Sequence, residues 1–355
     1  MPDIRIAVIP GDGVGPEVIA ATLPVLHAAA ARAGARLDIR EFDWGGERYL
    51  RTGRAMPADA VEQLRGMPAV LFGAVGRPDL PDHELIWGLI IGLRQQLDLA
   101  VNVRPVRSWP GVPTVLRRPD GIDLVIVREN TEGEYTGIGG RAHAGTGVEL
   151  GVEVAVHSRS AISRAARYAF ELARGRRGRV SLVTKSNALR HGYTLWDSVV
   201  AEVAAQHPDV EYETVLVDAM AARLVQRPYD LDVLLCSNLF GDILSDLTAA
   251  LVGGMGMAPS ANLLPGGDVP ALFEPVHGSA PDIAGQGTAN PVACMLSGAM
   301  LLDHVGLPAA ASAVRDAVAT ALRDPSLHTP DLGGSATTEK LAKAILAAVE
   351  DSPAT

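Results

Sequence analysis

Asp242 and Asp246 stand one helical turn apart in the stretch Ser237-Asn-Leu-Phe-Gly-Asp-Ile-Leu-Ser-Asp-Leu-Thr248, directly after the apolar run Val233-Leu-Leu-Cys236. Residues at i and i+4 share a helix face, so both carboxylates point at one spot. Two like charges there repel, and burying them unpaired is expensive, so the pair calls for a cation. A hard divalent metal held by oxygens is the natural candidate; the competing reading is an amphipathic helix with two solvated acids.

The lysines add a second signal. Of 31 basic side chains only Lys185, Lys340 and Lys343 are lysine, so Lys185 stands alone in a long run that otherwise uses arginine. It follows the strand-like Arg179-Val-Ser-Leu-Val-Thr184. A lone lysine there suits a site that needs a compact ammonium able to lose its proton, which arginine cannot do. Arg94, Arg104 and Arg128 form a third group. Arg104 and Arg128 close apolar strands, where a guanidinium can fork onto a carboxylate. Each alone reads as a salt-bridge partner; with Tyr135, Lys185 and the aspartates they describe a site for a metal-bound polycarboxylate.

These residues must be held by a regular framework, and strands alternate with helices along the chain. Strand-like runs occur at 4–10, 37–42, 69–75, 99–106, 122–128, 180–184, 210–217 and 233–237, with helical patterns near 58–64, 292–305, 309–322 and 336–349. That rhythm predicts a largely parallel sheet with helices on its faces. The alternating segment 148–157 has no helix beside it and reads as an antiparallel excursion that could serve as an interface arm. Residues 253–291 are rich in glycine and proline. The early Gly11-Asp-Gly-Val-Gly15 follows a strand and opens a helix. Its spacing matches neither the dinucleotide fingerprint nor a Walker loop, so it supports only a tight turn.

Composition narrows the function classes. A chain of 355 residues with 48% hydrophobic residues is long enough for two domains. A net charge of −10 argues against nucleic acid and anionic membrane surfaces as partners. Cys236 and Cys294 sit in apolar runs without metal spacing and read as buried thiols of a reducing compartment. With no signal-peptide plan at the amino terminus and no apolar run of membrane-spanning length, a cytoplasmic protein is expected.

Four segments, Val127-Arg-Glu-Asn-Thr-Glu-Gly-Glu-Tyr135, Thr184-Lys-Ser-Asn187, Asn238-Leu-Phe-Gly-Asp-Ile-Leu-Ser-Asp246 and Phe273-Glu-Pro-Val-His-Gly-Ser-Ala-Pro-Asp282, resemble the β-decarboxylating dehydrogenases of isocitrate, isopropylmalate, tartrate and D-malate. The resemblance runs from the first strand to the last helix. It implies an α/β two-domain fold of the isocitrate/isopropylmalate dehydrogenase type, with a mixed, largely parallel sheet, distinct from the Rossmann fold. A discontinuous NAD-binding domain would comprise residues 1–101 plus 253–355. Residues 102–252 would form the substrate, metal and dimer-interface domain of a homodimer with shared active sites.

Carried over position by position, the resemblance places Arg94, Arg104 and Arg128 on substrate carboxylates. It gives Asp242 and Asp246, with Asp218 from a second copy, to Mg²⁺ or Mn²⁺. Lys185, also from the second copy, would take the hydroxyl proton as hydride leaves, and Tyr135 would return a proton to carbon after decarboxylation. His277, Gly278, Ser279, Ala280, Asp282, Ile283 and Asn290 match the adenosine-binding loop. A buried Asp282 carboxylate there would accept hydrogen bonds from a ribose 2′-hydroxyl and repel a 2′-phosphate, which favours NAD over NADP.

Substrate choice falls to Trp87, Ile90 and Ile91. Isocitrate enzymes carry serine and asparagine at the positions matching Gly88 and Ile90, so isocitrate is not expected. Asp82, His83 and Trp87 look most like the tartrate and D-malate group. The expectation is an NAD- and divalent-metal-dependent oxidative decarboxylase of a (2R)-malate-like 2-hydroxy diacid, D-malate or tartrate first. A 3-isopropylmalate or pathway-specific malate analogue is the runner-up. A non-catalytic organic-acid-binding protein is the alternative from another class; it would need the arginines but neither Lys185 nor the aspartates.

Overall fold

A computed structural model describes residues 3–118 and 121–351. The chain divides into two compact units, one of Met1–Leu97, Pro105–Ile122 and Thr248–Thr355, the other of Asp98–Arg104 and Asp123–Leu247.

The first unit opens with β1 (Asp3–Gly11), α1 (Gly15–Arg32), β2 (Arg36–Glu41), α2 (Gly46–Thr52), α3 (Ala60–Leu64), β3 (Ala69–Ala74), α4 (Asp82–Ile86) and α5 (Gly92–Gln96). One turn of π-helix over Trp87–Ile91 joins the last two. β4 (Val101–Arg107) carries the chain from the second unit back to the first for a short excursion. The second unit then holds β5 (Asp123–Glu129), β6 (Gly139–Ala142), β7 (Leu150–Glu153), α6 (Arg159–Arg174), β8 (Arg179–Thr184), α7 (Gly192–Ala204), β9 (Glu211–Leu216), α8 (Val217–Gln226), β10 (Val233–Cys236) and most of α9 (Asn238–Leu251). The first unit is completed by β11 (Pro259–Leu263), β12 (Ala271–Pro275), α10 (Val292–His304), α11 (Pro308–Ala321) and α12 (Thr338–Asp351).

In the first unit the strand order is β2-β1-β3-β12-β11. All pairs are parallel except β11 with β12. α1, α10, α11 and α12 pack together over a core that includes Val18, Leu26, Phe273, Leu301 and Ile345. In the second unit the order is β4-β5-β10-β8-β9, and β5, β10, β8 and β9 run parallel. Trp196, Tyr193 and Phe170 are fully buried there. The Ser158 hydroxyl caps α6 by accepting from the Ala161 N–H. Among the described residues no helix is long and apolar enough to cross a membrane.

Three features depart from the sequence reading. β11 and β12 lie in the glycine- and proline-rich stretch, where the sequence reading names no strand: each is five residues long, has proline at one end and is almost wholly buried, so neither shows a period-2 pattern. Residues 105–122 belong to the first unit, not the second, because Trp109 and Val112 join its core and Gly111 lies against Leu322. The return to the first unit comes at residue 248, inside α9, not at 253. The segment 148–157 contributes β7, which pairs antiparallel with β6 in a ribbon whose strand residues are all exposed.

The early glycine loop has a structural role. Asp12 is buried and its carboxylate accepts the N–H groups of Gly46 at 2.8 Å and Gly76 at 3.1 Å, tying three turns together. Val14 N–H donates to the Ser279 carbonyl at 2.8 Å. Gly13 has φ +59°, and a Cβ there would sit 2.0 Å from the Ser279 carbonyl oxygen. Gly13→Ala therefore combines left-handed strain with a backbone collision. It is expected to cost about 2 kcal/mol or more, seen as a lower thermal midpoint; an unchanged midpoint would show that the Ser279 turn yields freely.

Candidate active site

Parallel register assembles the charged cluster of the second unit. Arg128 lies opposite Cys236, the last residue of β10, just before the chain turns into α9. Its guanidinium therefore runs along the first turn of that helix. Gly241 makes this possible, since a Cβ there would fall 2.6 Å from Arg128 Cβ. Arg128 Nη1 donates to Asp242 Oδ1, and its Nε donates to Asn238 Oδ1 at 2.8 Å. Arg104, from β4, approaches Asp242 at 3.4 Å and Asp246 at 3.9 Å. Asn102 Oδ1 fixes its Nε at 2.6 Å, and Ser245 Oγ fixes its Nη1 at 2.5 Å. Both arginines are buried, whereas both aspartate side chains are partly exposed.

Tyr135 completes the cluster. Its hydroxyl donates to Asp242 Oδ2 at 3.1 Å, and Arg128 lies over its ring. Burial, aided by the Asp242 charge, pushes its hydroxyl above the usual phenol range, so it stays protonated. The loop that carries it is built by its own acids. Glu129, fully buried, accepts from the Thr131 N–H and hydroxyl at 2.8 and 2.7 Å. Glu132 accepts from the Ser158 N–H and hydroxyl, both at 2.6 Å. The acidic character of this motif thus shapes the loop.

Burial, reinforced by Asp242 and opposed by Arg104, pushes the Asp246 carboxyl above the ordinary aspartate range. Two hard carboxylate groups one turn apart, with a penalty for sharing a site, fit a divalent cation. Among the described residues no three His, Cys, Asp or Glu side chains come together in a way that could hold a metal, so Asp218 does not complete the pair within one chain. Asp218, in the first turn of α8, instead accepts from Lys185 Nζ at 2.8 Å. Thr184 and Leu216 are register partners, so Lys185 and Asp218 leave the carboxyl ends of neighbouring parallel strands. That is where ligand sites of parallel sheets form.

The remaining residues lie in the first unit. Arg94, 11% exposed, donates through Nη2 to Glu274 Oε1 at 2.7 Å, and Asn262 Nδ2 also donates to that oxygen at 2.8 Å. Arg94 Nε is buried without a partner, so the guanidinium retains donors for a further carboxylate. Ile90 and Ile91 are buried, but Trp87, on the π-turn, is 37% exposed and is no core residue.

In the cofactor-type loop, Ser279 is buried, Gly278 is exposed and Ile283 packs on the core. Ala280 holds φ +40°, a strained value for a residue with a Cβ. His277 Nδ1 donates to the Gly278 carbonyl at 2.9 Å, and burial lowers its pKa, leaving neutral Nε2 as a buried acceptor with no partner. Asn290 spends its amide internally, accepting from Val292 N–H and donating to Asp331, both at 3.0 Å. Asp282 is exposed, which corrects the expectation of a buried carboxylate. Solvent reduces its repulsion of a 2′-phosphate to the scale of a surface charge pair, about 0–1 kcal/mol.

Sequence reasoning passed over Asn102, Asn238, Ser245, Glu274 and Gly241. All but Asn102 lie inside or beside the four segments quoted above. Their signal was available as polar or small residues next to each candidate, but no spacing rule singles them out.

The family profile described as isocitrate/isopropylmalate dehydrogenase matches residues 5–345. A probable tartrate dehydrogenase/decarboxylase of Agrobacterium vitis is 48% identical over 99% of both chains. A decarboxylating D-malate dehydrogenase of Escherichia coli (strain K12) is 45% identical over 97% of this chain and 98% of its own. The crystal structure of isocitrate dehydrogenase from Methylococcus capsulatus superposes with a TM-score of 0.88 at 37% identity, covering 98% of this chain and all of that one.

The Lys185 hydrogen bond holds the Asp218 carboxyl below the ordinary aspartate range. A depressed carboxyl stabilises the fold above its unfolded pKa, and that effect is lost as pH falls through the folded value. Lys185→Met should therefore return Asp218 upward toward the ordinary range in a carboxyl NMR titration. An unmoved titration would mean that the pair does not persist in solution.

Proposed function

The chain belongs to the isocitrate/isopropylmalate dehydrogenase family, and from that premise we propose that it oxidatively decarboxylates a (2R)-malate-like 2-hydroxy diacid, D-malate or tartrate, with NAD and Mg²⁺ or Mn²⁺. The observation that carries the proposal is the convergence of Arg104, Arg128, Tyr135, Asp242 and Asp246 on one spot. Guanidiniums suit substrate carboxylates, a phenol held protonated suits an acid, and paired carboxylates suit a divalent cation.

In this reading Arg104 and Arg128 grip the substrate, and Arg94 contributes its spare donors. Asp242 and Asp246 hold the metal with Asp218 of a second copy; when bound, the metal supplies Lewis-acid stabilisation of developing negative charge on the substrate. The loop from His277 to Asn290 would hold NAD, which when bound would supply the hydride acceptor. Lys185 of the second copy takes the hydroxyl proton as hydride leaves C2. The 2-keto product then loses the carboxyl group β to its carbonyl as CO2, and Tyr135 protonates the carbon left behind. Sharing between two copies accords with the separation of Asp218 from the Asp242/Asp246 pair within one chain. It accords also with exposed Ile243 on α9 and with exposed Val148, Leu150, Val152 and Val154 at the β6–β7 ribbon, a surface suited to a homodimer.

The test is a panel of 2-hydroxy diacids with NAD or NADP and Mg²⁺ or Mn²⁺. D-malate or tartrate should give NADH and CO2 in equal amounts, and activity should vanish on chelation and in Asp242→Asn. Isocitrate should be far slower, since apolar Ile90 and Ile91 leave its third carboxylate desolvated and unpaired. Full activity after exhaustive chelation would remove the metal from the reading, and tight diacid binding without oxidation would favour the organic-acid binder.

Trp87 is the proposed limit on substituent size, because its ring stands partly exposed at the start of the π-turn that ends in Ile90 and Ile91. Trp87→Ala should shift the kcat/KM ratio toward 3-isopropylmalate by roughly tenfold or more, the scale of one or more added methylenes in an apolar site. A wild-type enzyme that already prefers isopropylmalate would hand the assignment to that runner-up.

A further inference from the structure

Asn238, the first residue of α9, is buried and uses both ends of its amide. Its Oδ1 accepts from Arg128 Nε at 2.8 Å, and its Nδ2 donates to the Glu132 carbonyl at 2.8 Å. Gly133, directly after Glu132, has φ +76°, and a Cβ there would lie 3.2 Å from Asn238 Cβ. Tyr135 follows two residues on, with its hydroxyl on Asp242, the carboxylate that also pairs with Arg128. The backbone that presents the phenol and the guanidinium that reaches the same aspartate are thus fastened to one side chain. An amide is well matched to both bonds, because it places an acceptor and a donor two bonds apart and adds no charge beside the arginine.

We propose that Asn238 is a positioning residue that sets Arg128 and the Tyr135 loop in a common register, coupling the grip on the substrate carboxylate to proton return at carbon. This deepens the reading of the chain as an oxidative decarboxylase and rests on it. Removing the amide leaves the Arg128 Nε end without its fixed acceptor and releases the turn at Gly133, so binding and the step after oxidation should fail together.

The experiment uses the full-length enzyme with the best diacid from the panel. Asn238→Ala should raise KM by roughly tenfold or more, as expected for loss of a charge-assisted hydrogen bond. It should also slow decarboxylation of the supplied 2-keto diacid. Two double-mutant cycles separate positioning from general structural damage. In an Arg128→Lys background, which lacks Nε, Asn238→Ala should change KM by less than about threefold. In a Tyr135→Phe background it should have similarly little effect on decarboxylation. Should Asn238→Ala fail to fold, Asn238→Asp keeps the shape. It sets a carboxylate against Arg128 in competition with substrate and removes the donor to Glu132, so KM should rise and decarboxylation fall. Folded variants with both parameters near wild type, or effects that multiply in both cycles, would overturn the inference alone. A wild-type protein that oxidises no diacid would overturn the functional reading beneath it.

Discussion

Arg104 and Arg128 are buried against the first turns of α9, and a buried guanidinium cannot remain without a counter-ion. Asp242 and Asp246 meet that demand from positions that are themselves only partly buried. The asymmetry matters. The arginines are locked by Asn102, Ser245 and Asn238 and cannot leave, whereas the carboxylates face solvent and can change partners. A dicarboxylate entering with a divalent cation would exchange one set of neutralising contacts for another: substrate oxygens onto the guanidiniums, aspartate oxygens onto the cation. Charge balance is preserved throughout, so the site can be dry enough for strong electrostatics without an unpaired ion in either state.

The supporting structure serves that arrangement. β5 and β10 run parallel so that Arg128 emerges where α9 begins, and Gly241 removes the side chain that would block it. Glu129 and Glu132 are spent on backbone and serine donors, which makes the loop before Tyr135 a rigid bracket. Glu129 and Glu132 thus have a local structural role, and the partners of Glu129 offset part of the cost of its burial, which raises its pKa.

Much of this was legible in the sequence because its physics is local. The i, i+4 spacing of Asp242 and Asp246, the solitary Lys185 and the arginines at strand ends could be read directly, and helix–strand alternation gave the parallel sheet. What escaped depends on contacts distant in the chain. Glu274 meets Arg94 across 180 residues, and Gly13 meets the Ser279 turn only after β1 and β12 have joined one sheet. β11 and β12 escaped because buried strands bounded by proline lack alternation. Asp282 was placed in a buried setting by analogy with its segment, but the loop turns it to solvent, a matter of backbone path that side-chain identity does not encode.

The π-turn at Trp87–Ile91 shows how one extra residue per turn redirects a side chain. Leu89, Ile90 and Ile91 are all buried, and Leu93 beyond them is fully buried, so the segment is anchored through its apolar face. A regular α-helix through the same residues would shift the angular position of everything before the bulge, because each turn would take up fewer residues. The widened turn lets the apolar anchor stay in the core while Trp87, just ahead of it, keeps more than a third of its surface outside. An indole held this way leaves apolar area in solvent, and π-bulges are found often at functional sites. The same helical run ends in Arg94, whose guanidinium is pinned to Glu274 with a donor to spare. One continuous stretch therefore carries a charge fixed by Glu274 at its end and a partly exposed indole at its start, the two ends separated by the buried anchor of Leu89, Ile90 and Ile91.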